Sequence, residues 1–411
     1  MSAVPSKKTS PKKTPSTKRE IQKPSLASKP PSTLATLAIP SKAIKASNKP
    51  VAQQSAGFNL IGYATSPTGL GEDLRSFAAM LNYLTIPFSI TDIPTDSSKT
   101  VTVQFENMTT QTYANSMFFM SAMECAQLAQ VHPNLFTEPK TKIGYFLWEL
   151  PDFPDQYTSA LKLVDHIWCP TKFVQSAFFA KSQQLILSLP LPVIQTQVAK
   201  STIRKELGIP QEAFVCLFMF DLRSTMGRKN PQAAVTAFLE FAKDKSDTYL
   251  ILKLSRWQRS INQLLSWLPK HPQIKLLTKT LSPEQLGALY AASNCYLSLH
   301  RSEGFGRTLV ESLQHGLWLV CSNFSGPADY LDEKNAALVS WTPKTVLKGD
   351  YPFSSHSMWA EPSIAEARTQ LERLYAKPRK ERNLAGIETG KQFTLQALAE
   401  KYRPILKSYL R

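Results

Sequence analysis

Beyond residue 55 the chain alternates short apolar runs with stretches whose apolar positions recur every three or four residues, the pattern of strand-helix units that build parallel sheets. Phe58 to Ala64 predicts a strand. After Pro67-Thr68-Gly69-Leu70-Gly71 comes a helix with Leu74, Phe77, Ala78, Leu81 and Leu84 on one face. Lys142 to Trp148 and His166 to Cys169 predict further strands, and Thr171 caps a helix through Phe179. A second set opens at Phe214, where Phe-Val-Cys-Leu-Phe-Met-Phe lacks alternation and suits a strand covered on both faces. Asn230-Pro231 predicts a helix start with a capping side chain, and Ser282 with Gln285 forms a capping box. Thr248 to Leu254, Cys295 to His300 and Leu317 to Ser322 read as strands, and Thr308 to His315 as a helix stopped at Gly316.

No repeat of fixed period appears, and 411 residues exceed what one core ordinarily organises. The expected architecture is α/β, with two Rossmann-like domains facing a central cleft. The first spans 56–195, the second 196–385, and a C-terminal helix over 386–411 is free to cross back to the first. Residues 1–55 are expected to form a disordered basic tail. Its first fifty residues hold eleven Lys or Arg against Glu20 alone, with eight Pro, no Gly and no aromatic ring, a composition that buries too little to offset chain entropy. They supply +10 of the net charge of +17, so the remainder is mildly basic. No apolar stretch is long enough to span a membrane, because Lys181, Pro190 and Pro192 break the best candidate, Phe178 to Ile194. No secretory core follows the first basic residues. Five cysteines (125, 169, 216, 295, 321) without a CxxC pair read as reduced buried thiols, which fits the cytoplasm.

Ligands of open parallel sheets bind beyond the carboxyl ends of strands, which directs attention to three loops. In Arg301-Ser302-Glu303-Gly304-Phe305-Gly306 the glycines let the backbone approach a ligand, and helix N–H groups face an anion. Glu303 and Glu311, eight positions apart, both lie where they can point into one cleft. Arg228 and Lys229 precede a helix start and form a site for a diphosphate whose charge grows as it leaves. Gly69-Leu70-Gly71 belongs to the other half. Singly, a Gly-Leu-Gly turn or an Arg-Lys pair is commonplace; their coincidence at strand ends singles them out.

These residues resemble a known family. Leu297 to Gly306 followed by Glu311 to Gly316 is similar to the Glu-x7-Glu motif of GT-B glycosyltransferases, specifically the retaining family four of the group 1 enzymes. Asn323 to Pro327, Gly69-Leu70-Gly71, Gly144 to Leu150 with Phe153-Pro154, Ile167 to Thr171, Arg228 to Pro231, Tyr351-Pro352-Phe353 and Trp359 to Pro362 extend the likeness from about Phe58 to Leu410. The resemblance implies retaining, metal-independent transfer from a nucleotide-diphosphate-sugar, with no further cofactor, to a glycan or lipid-linked saccharide. It implies that Glu303 stabilises the anomeric centre and Glu311 holds the ribose. Lys229, with Arg228, would neutralise the departing diphosphate, and the N–H groups of Phe305, Gly306 and Arg307 would cradle its oxygens. Gly69 and Gly71 would let the first domain close over the phosphates. Ser224 stands where many members carry an Arg, leaving Arg228 or Arg223 to substitute. Trp148 and Glu149 stand where many carry an acceptor-side His. His132, His166, His271 and His356 lack ligand spacing, and His300 precedes the sugar-donor loop.

The tail around Lys7 to Lys18-Arg19 has the composition of arms that neutralise nucleic-acid phosphates, and it would equally attract an anionic membrane. The competing reading is therefore a nucleic-acid-associated protein, either a DNA-base glycosyltransferase or a degenerate nucleotide-binding domain.

Overall fold

The structure, a computed structural model, describes residues 55–94, 112–198, 202–222, 224–255, 258–352 and 357–411. The expectations for the tail up to residue 54, Arg223, Phe353 and His356 lie outside them.

Strands β1 (Ser55–Gly62), β2 (Phe88–Asp92), β3 (Tyr113–Phe119), β4 (Thr141–Tyr145), β5 (His166–Cys169) and β6 (Leu185–Ser188) form one sheet in the order β2-β1-β3-β4-β5-β6, with every pairing parallel. Strands β7 (Phe214–Asp221), β8 (Thr248–Ser255), β9 (Ile274–Leu277), β10 (Cys295–Ser298), β11 (Trp318–Ser322) and β12 (Ala337–Val339) form the other, ordered β12-β11-β10-β7-β8-β9 and again parallel. The order reverses between β1 and β3 in the first sheet and between β7 and β10 in the second. A hairpin of β13 (Trp341–Thr345) and β14 (Met358–Pro362) follows.

β7 is buried from Phe214 to Phe220, which is why its sequence lacks alternation. The helix Gly69–Tyr83 buries Leu74, Phe77, Ala78 and Leu81 against the first sheet. Thr171 caps the helix Lys172–Phe179, and Ser282 and Gln285 form the capping box of Pro283–Ala291.

Other boundaries differ from the sequence reading. Gly69 and Gly71 lie in the first helical turn rather than in a loop before it. β4 ends at Tyr145 and β10 at Ser298, short of the expected Trp148 and His300. The largest correction is Asn230. It ends the short helix Met226–Lys229 and starts Pro231–Ala242 at φ 52°, and its side chain makes no capping bond. Two helices meeting there need a left-handed residue, which Asn tolerates.

The C-terminal helix Leu395–Ser408 packs on the helix Gly69–Tyr83, with Leu398, Tyr402 and Leu406 in the first-sheet core. Asn115 Nδ2 donates to Tyr409 O at 2.8 Å, fixing the chain end to β3. The five cysteines are free and buried. Among the described residues no helix is long and apolar enough to cross a membrane.

Candidate functional site

The loops after β7 and β10 emerge side by side where the second sheet reverses its order, the position at which parallel sheets leave a crevice. They are bolted together: Arg301 N donates to Arg228 O at 2.8 Å and Arg301 Nη1 to Gly227 O at 2.7 Å. Glu361 grips the same guanidinium through two bonds of 3.0 Å.

Glu303 is therefore delivered onto the two cations. Its Oε1 accepts from Lys229 Nζ and its Oε2 lies 3.0 Å from Arg228 Nη1, and the residue is only 7% exposed. Arg228 also donates to Ser302 O at 3.1 Å and to Ser224 Oγ at 2.7 Å. Ser224 thus holds Arg228 in place. Burial would raise the Glu303 carboxyl, but Arg228 and then Lys229 override it and hold it down at about 2. Burial also lowers the Lys229 ammonium, whereas for Arg228 the opposing carboxylates of Glu149 and Glu303 win and raise it. Beside Lys229, Asn230 Nδ2 is buried with no acceptor among the described residues.

The rest of the loop presents backbone donors. Gly306 takes φ 83° and starts the helix Arg307–Gln314, whose first N–H groups have no intrahelical partner. No backbone bond from the Phe305 or Gly306 N–H is found among the described residues, which leaves successive donors of the kind that bind anions beside the helix start. The Phe305 ring packs between Tyr330 and Phe393, at 5.6 and 5.5 Å, and Tyr330 OH donates to Phe305 O at 2.6 Å. Gly326 is required beneath: a Cβ there would lie 2.1 Å from Gly304 O.

The first lobe reaches this loop and the Arg228 turn beside it through several contacts. Thr171 Oγ1 donates to Gly304 O at 2.8 Å. Arg307 reaches the helix that starts at Gly69, with Nη1 3.1 Å from Asp73 Oδ1 and Nη2 3.6 Å from Glu72 Oε1. Glu149, after β4, lies with Oε1 3.5 Å from Arg228 Nη2 and accepts from Tyr351 OH at Oε2. Burial raises Asp73 to about 6 despite Arg307. Gly71 is close-packed, since a Cβ would sit 2.3 Å from Ser66 O, whereas a Cβ on Gly69 would meet nothing within 4 Å.

Glu303, Lys229, Arg228, Phe305, Gly306 and Arg307 are thus brought together, and Gly69 and Gly71 approach through the Arg307 bridge. Glu311, one turn into the helix, stands apart from the Glu303 cluster: its carboxylate accepts from Tyr290 OH at 2.5 Å, and Tyr290 stacks on His315 with centroids 5.0 Å apart. Burial raises Glu311, against the pull of Arg307. His300 is fully buried between Ser298 Oγ and Phe324 O, and burial lowers it to about 4, leaving a neutral structural imidazole. Asp73, Ser325 (whose Oγ accepts the Glu303 N–H at 2.8 Å) and Tyr290 were not legible as site residues, because only folding brings them there. Among the described residues no group of three or more His, Cys, Asp or Glu could hold a metal ion.

Residues 199–344 match the family model described as glycosyl transferases group 1. No curated protein matches the chain in sequence. Among solved structures, Anabaena HepE in complex with UDP-glucose is 14% identical, with TM-score 0.61 over 86% of this chain and 100% of its own. Sucrose-phosphate synthase from Thermosynechococcus elongatus is 13% identical, with TM-score 0.61 over 86% and 98%. The pneumococcal O-GlcNAc transferase GtfA in complex with UDP and GlcNAc is 16% identical, with TM-score 0.53 over 72% of this chain, which spans 57% of the GtfA chain. These likenesses show the fold: two parallel-sheet, Rossmann-like lobes arranged as in GT-B proteins.

Proposed function

We propose that the protein is a retaining, metal-independent glycosyltransferase that moves a sugar from a nucleotide-diphosphate-sugar to a glycan or lipid-linked saccharide. The observation that carries this reading is the Glu303 carboxylate set on Arg228 and Lys229, three residues before the Gly306 start of the helix Arg307–Gln314. In it, Lys229 and Arg228 take up the charge that grows on the diphosphate as its bond to the anomeric carbon lengthens. The N–H groups of Phe305, Gly306 and Arg307 hold its oxygens. Glu303, ionised at working pH, faces the positive charge that develops on the sugar, and Glu311 receives the ribose hydroxyls in place of Tyr290. Preorganised groups of this kind each lower the barrier by about 3 kcal/mol. The family match to residues 199–344 supports the reaction class, and the UDP-sugar named with HepE makes UDP-sugars the first donors to test.

The test is a panel of UDP-, GDP- and ADP-sugars with the full chain in EDTA, scored for donor hydrolysis. One member should turn over, and Lys229→Ala and Glu303→Ala should each slow it by roughly two to three powers of ten. Full activity of both variants, or no binding of any panel member, overturns the assignment. Contact of residues 1–50 with nucleic acid or an anionic surface is a separate proposal that rests on their charge alone. Removing them should leave turnover on a small acceptor unchanged.

A further inference from the structure

The ion cluster holds one member that the reaction just described does not use. Glu149 comes from the first lobe, yet it completes a set of two cations and two carboxylates: Arg228 bridges Glu303 Oε2 at 3.0 Å and Glu149 Oε1 at 3.5 Å, while Lys229 pairs with Glu303. Without a ligand the set is neutral, so a diphosphate entering it finds its cations already taken. The two carboxylates are not equally displaceable. The Glu303 side chain is 9% exposed and pairs with both cations, whereas that of Glu149 is 24% exposed and pairs with one, at the longer distance. Glu149 is also held by two other residues of the second lobe, Tyr351 and Ser302. Tyr351 OH donates to its Oε2, its N–H donates to Tyr351 OH at 3.3 Å, and Ser302 Oγ donates to its backbone carbonyl. Trp148 packs edge-on to the Tyr351 ring at 5.3 Å.

Resting on the sugar-donor reading, we propose that Glu149 is an internal competitor for the leaving-group site: its carboxylate occupies Arg228 until a nucleoside diphosphate displaces it. The exchange costs binding affinity, because Arg228 must leave one anion to meet another and the displaced carboxylate stays nearby as a like charge. It also does something that a simple cation site cannot. Once released, Glu149 remains held by Tyr351 beside the diphosphate, on the face that the first lobe presents, where an incoming hydroxyl needs an acceptor. The diphosphate thereby sets the order, with the sugar donor bound before the carboxylate is exposed to an acceptor.

Calorimetric titration of the full chain with UDP, GDP and ADP decides the matter. The diphosphate that binds the wild-type protein should bind Glu149→Gln about tenfold more tightly, within the usual span of coupling between sites. Tyr351→Phe, which loosens Glu149 but leaves its charge, should tighten binding by a smaller factor and keeps the test decisive if the first variant fails to fold. Because loss of a merely structural contact weakens binding, a gain in affinity separates the two roles. Equal or weaker binding in both variants overturns the proposal and leaves the sugar-donor reading standing. If no diphosphate binds wild type or either variant, the sugar-donor reading falls and this inference falls with it.

Discussion

The two lobes share an architecture and divide the charge. The second brings two cations, buried Arg228 and half-buried Lys229, to its switch point and sets one carboxylate, Glu303, between them; the first brings carboxylates, Asp73 and Glu149, each facing a single arginine of the other lobe. The consequence shows in two buried acids with opposite behaviour. Glu303 is held down at about 2 because two cations outweigh its burial. Asp73 is raised to about 6 because burial outweighs its share of Arg307, which also faces Glu72 and Glu311. Burial sets the sign unless enough opposite charge is packed within reach.

The contrast between the lobes should show most strongly in turnover. Glu303→Ala should reduce sugar-donor hydrolysis by roughly two to three powers of ten, whereas Asp73→Ala, which touches only the bridge between lobes, should change kcat by less than about tenfold. Equal losses would mean that the lobes share the chemistry evenly.

Next in size is the glycine beneath the loop. Gly326→Ala drives a methyl group into the Gly304 carbonyl, and Gly71→Ala drives one into Ser66 O, so each should destabilise the fold by about 1 to 3 kcal/mol in denaturant titration. Wild-type stability in either variant would show that the backbone relaxes there.

The two acids also give opposite slopes with pH. Glu303, whose folded value lies below its unfolded one, contributes stability that is full above about pH 4.5 and is lost as pH falls towards 2. Asp73, whose folded value is raised, makes the native state bind its proton first, so its contribution favours folding below about pH 4 and is lost as pH rises to about 6. Stability curves of Asp73→Asn should lack that second component between pH 4 and 6. Curves identical to wild type would place the Asp73 carboxyl at its ordinary value.

The smallest effect belongs to Gly69→Ala. A Cβ at this exposed position meets nothing within 4 Å, so stability should stay within about 0.5 kcal/mol of wild type. Any large change in nucleotide affinity there would mark it as a ligand contact rather than a helix start.

Much of this was readable along the chain, and what was missed has a common cause. The unalternating run at Phe214 to Phe220 and the capped helices announce themselves because burial on two faces and local capping leave local patterns. β3 does not, since Asn115 and Ser116 inside it are turn formers by composition. They are tolerated because Asn59 Nδ2 donates to Ser116 Oγ at 3.1 Å and Asn115 Nδ2 to Gly57 O at 3.0 Å, bonds that exist only across assembled strands. Asn230 looked like a cap for the same reason that it is useful in a left-handed joint, and only the second helix abutting it decides between the two.

The sequence alone determined the two strand-helix sets, the glycine loop that follows β10, and the presence of Glu303, Arg228 and Lys229 at strand ends, because periodicity and turn chemistry are local properties. Only the tertiary structure decided that Glu303 sits on both cations, that Glu311 turns to Tyr290, and that Glu149 and Asp73 reach arginines 79 and 234 positions away. Charge pairing depends on distance in space, and strand order, which no local pattern encodes, sets that distance.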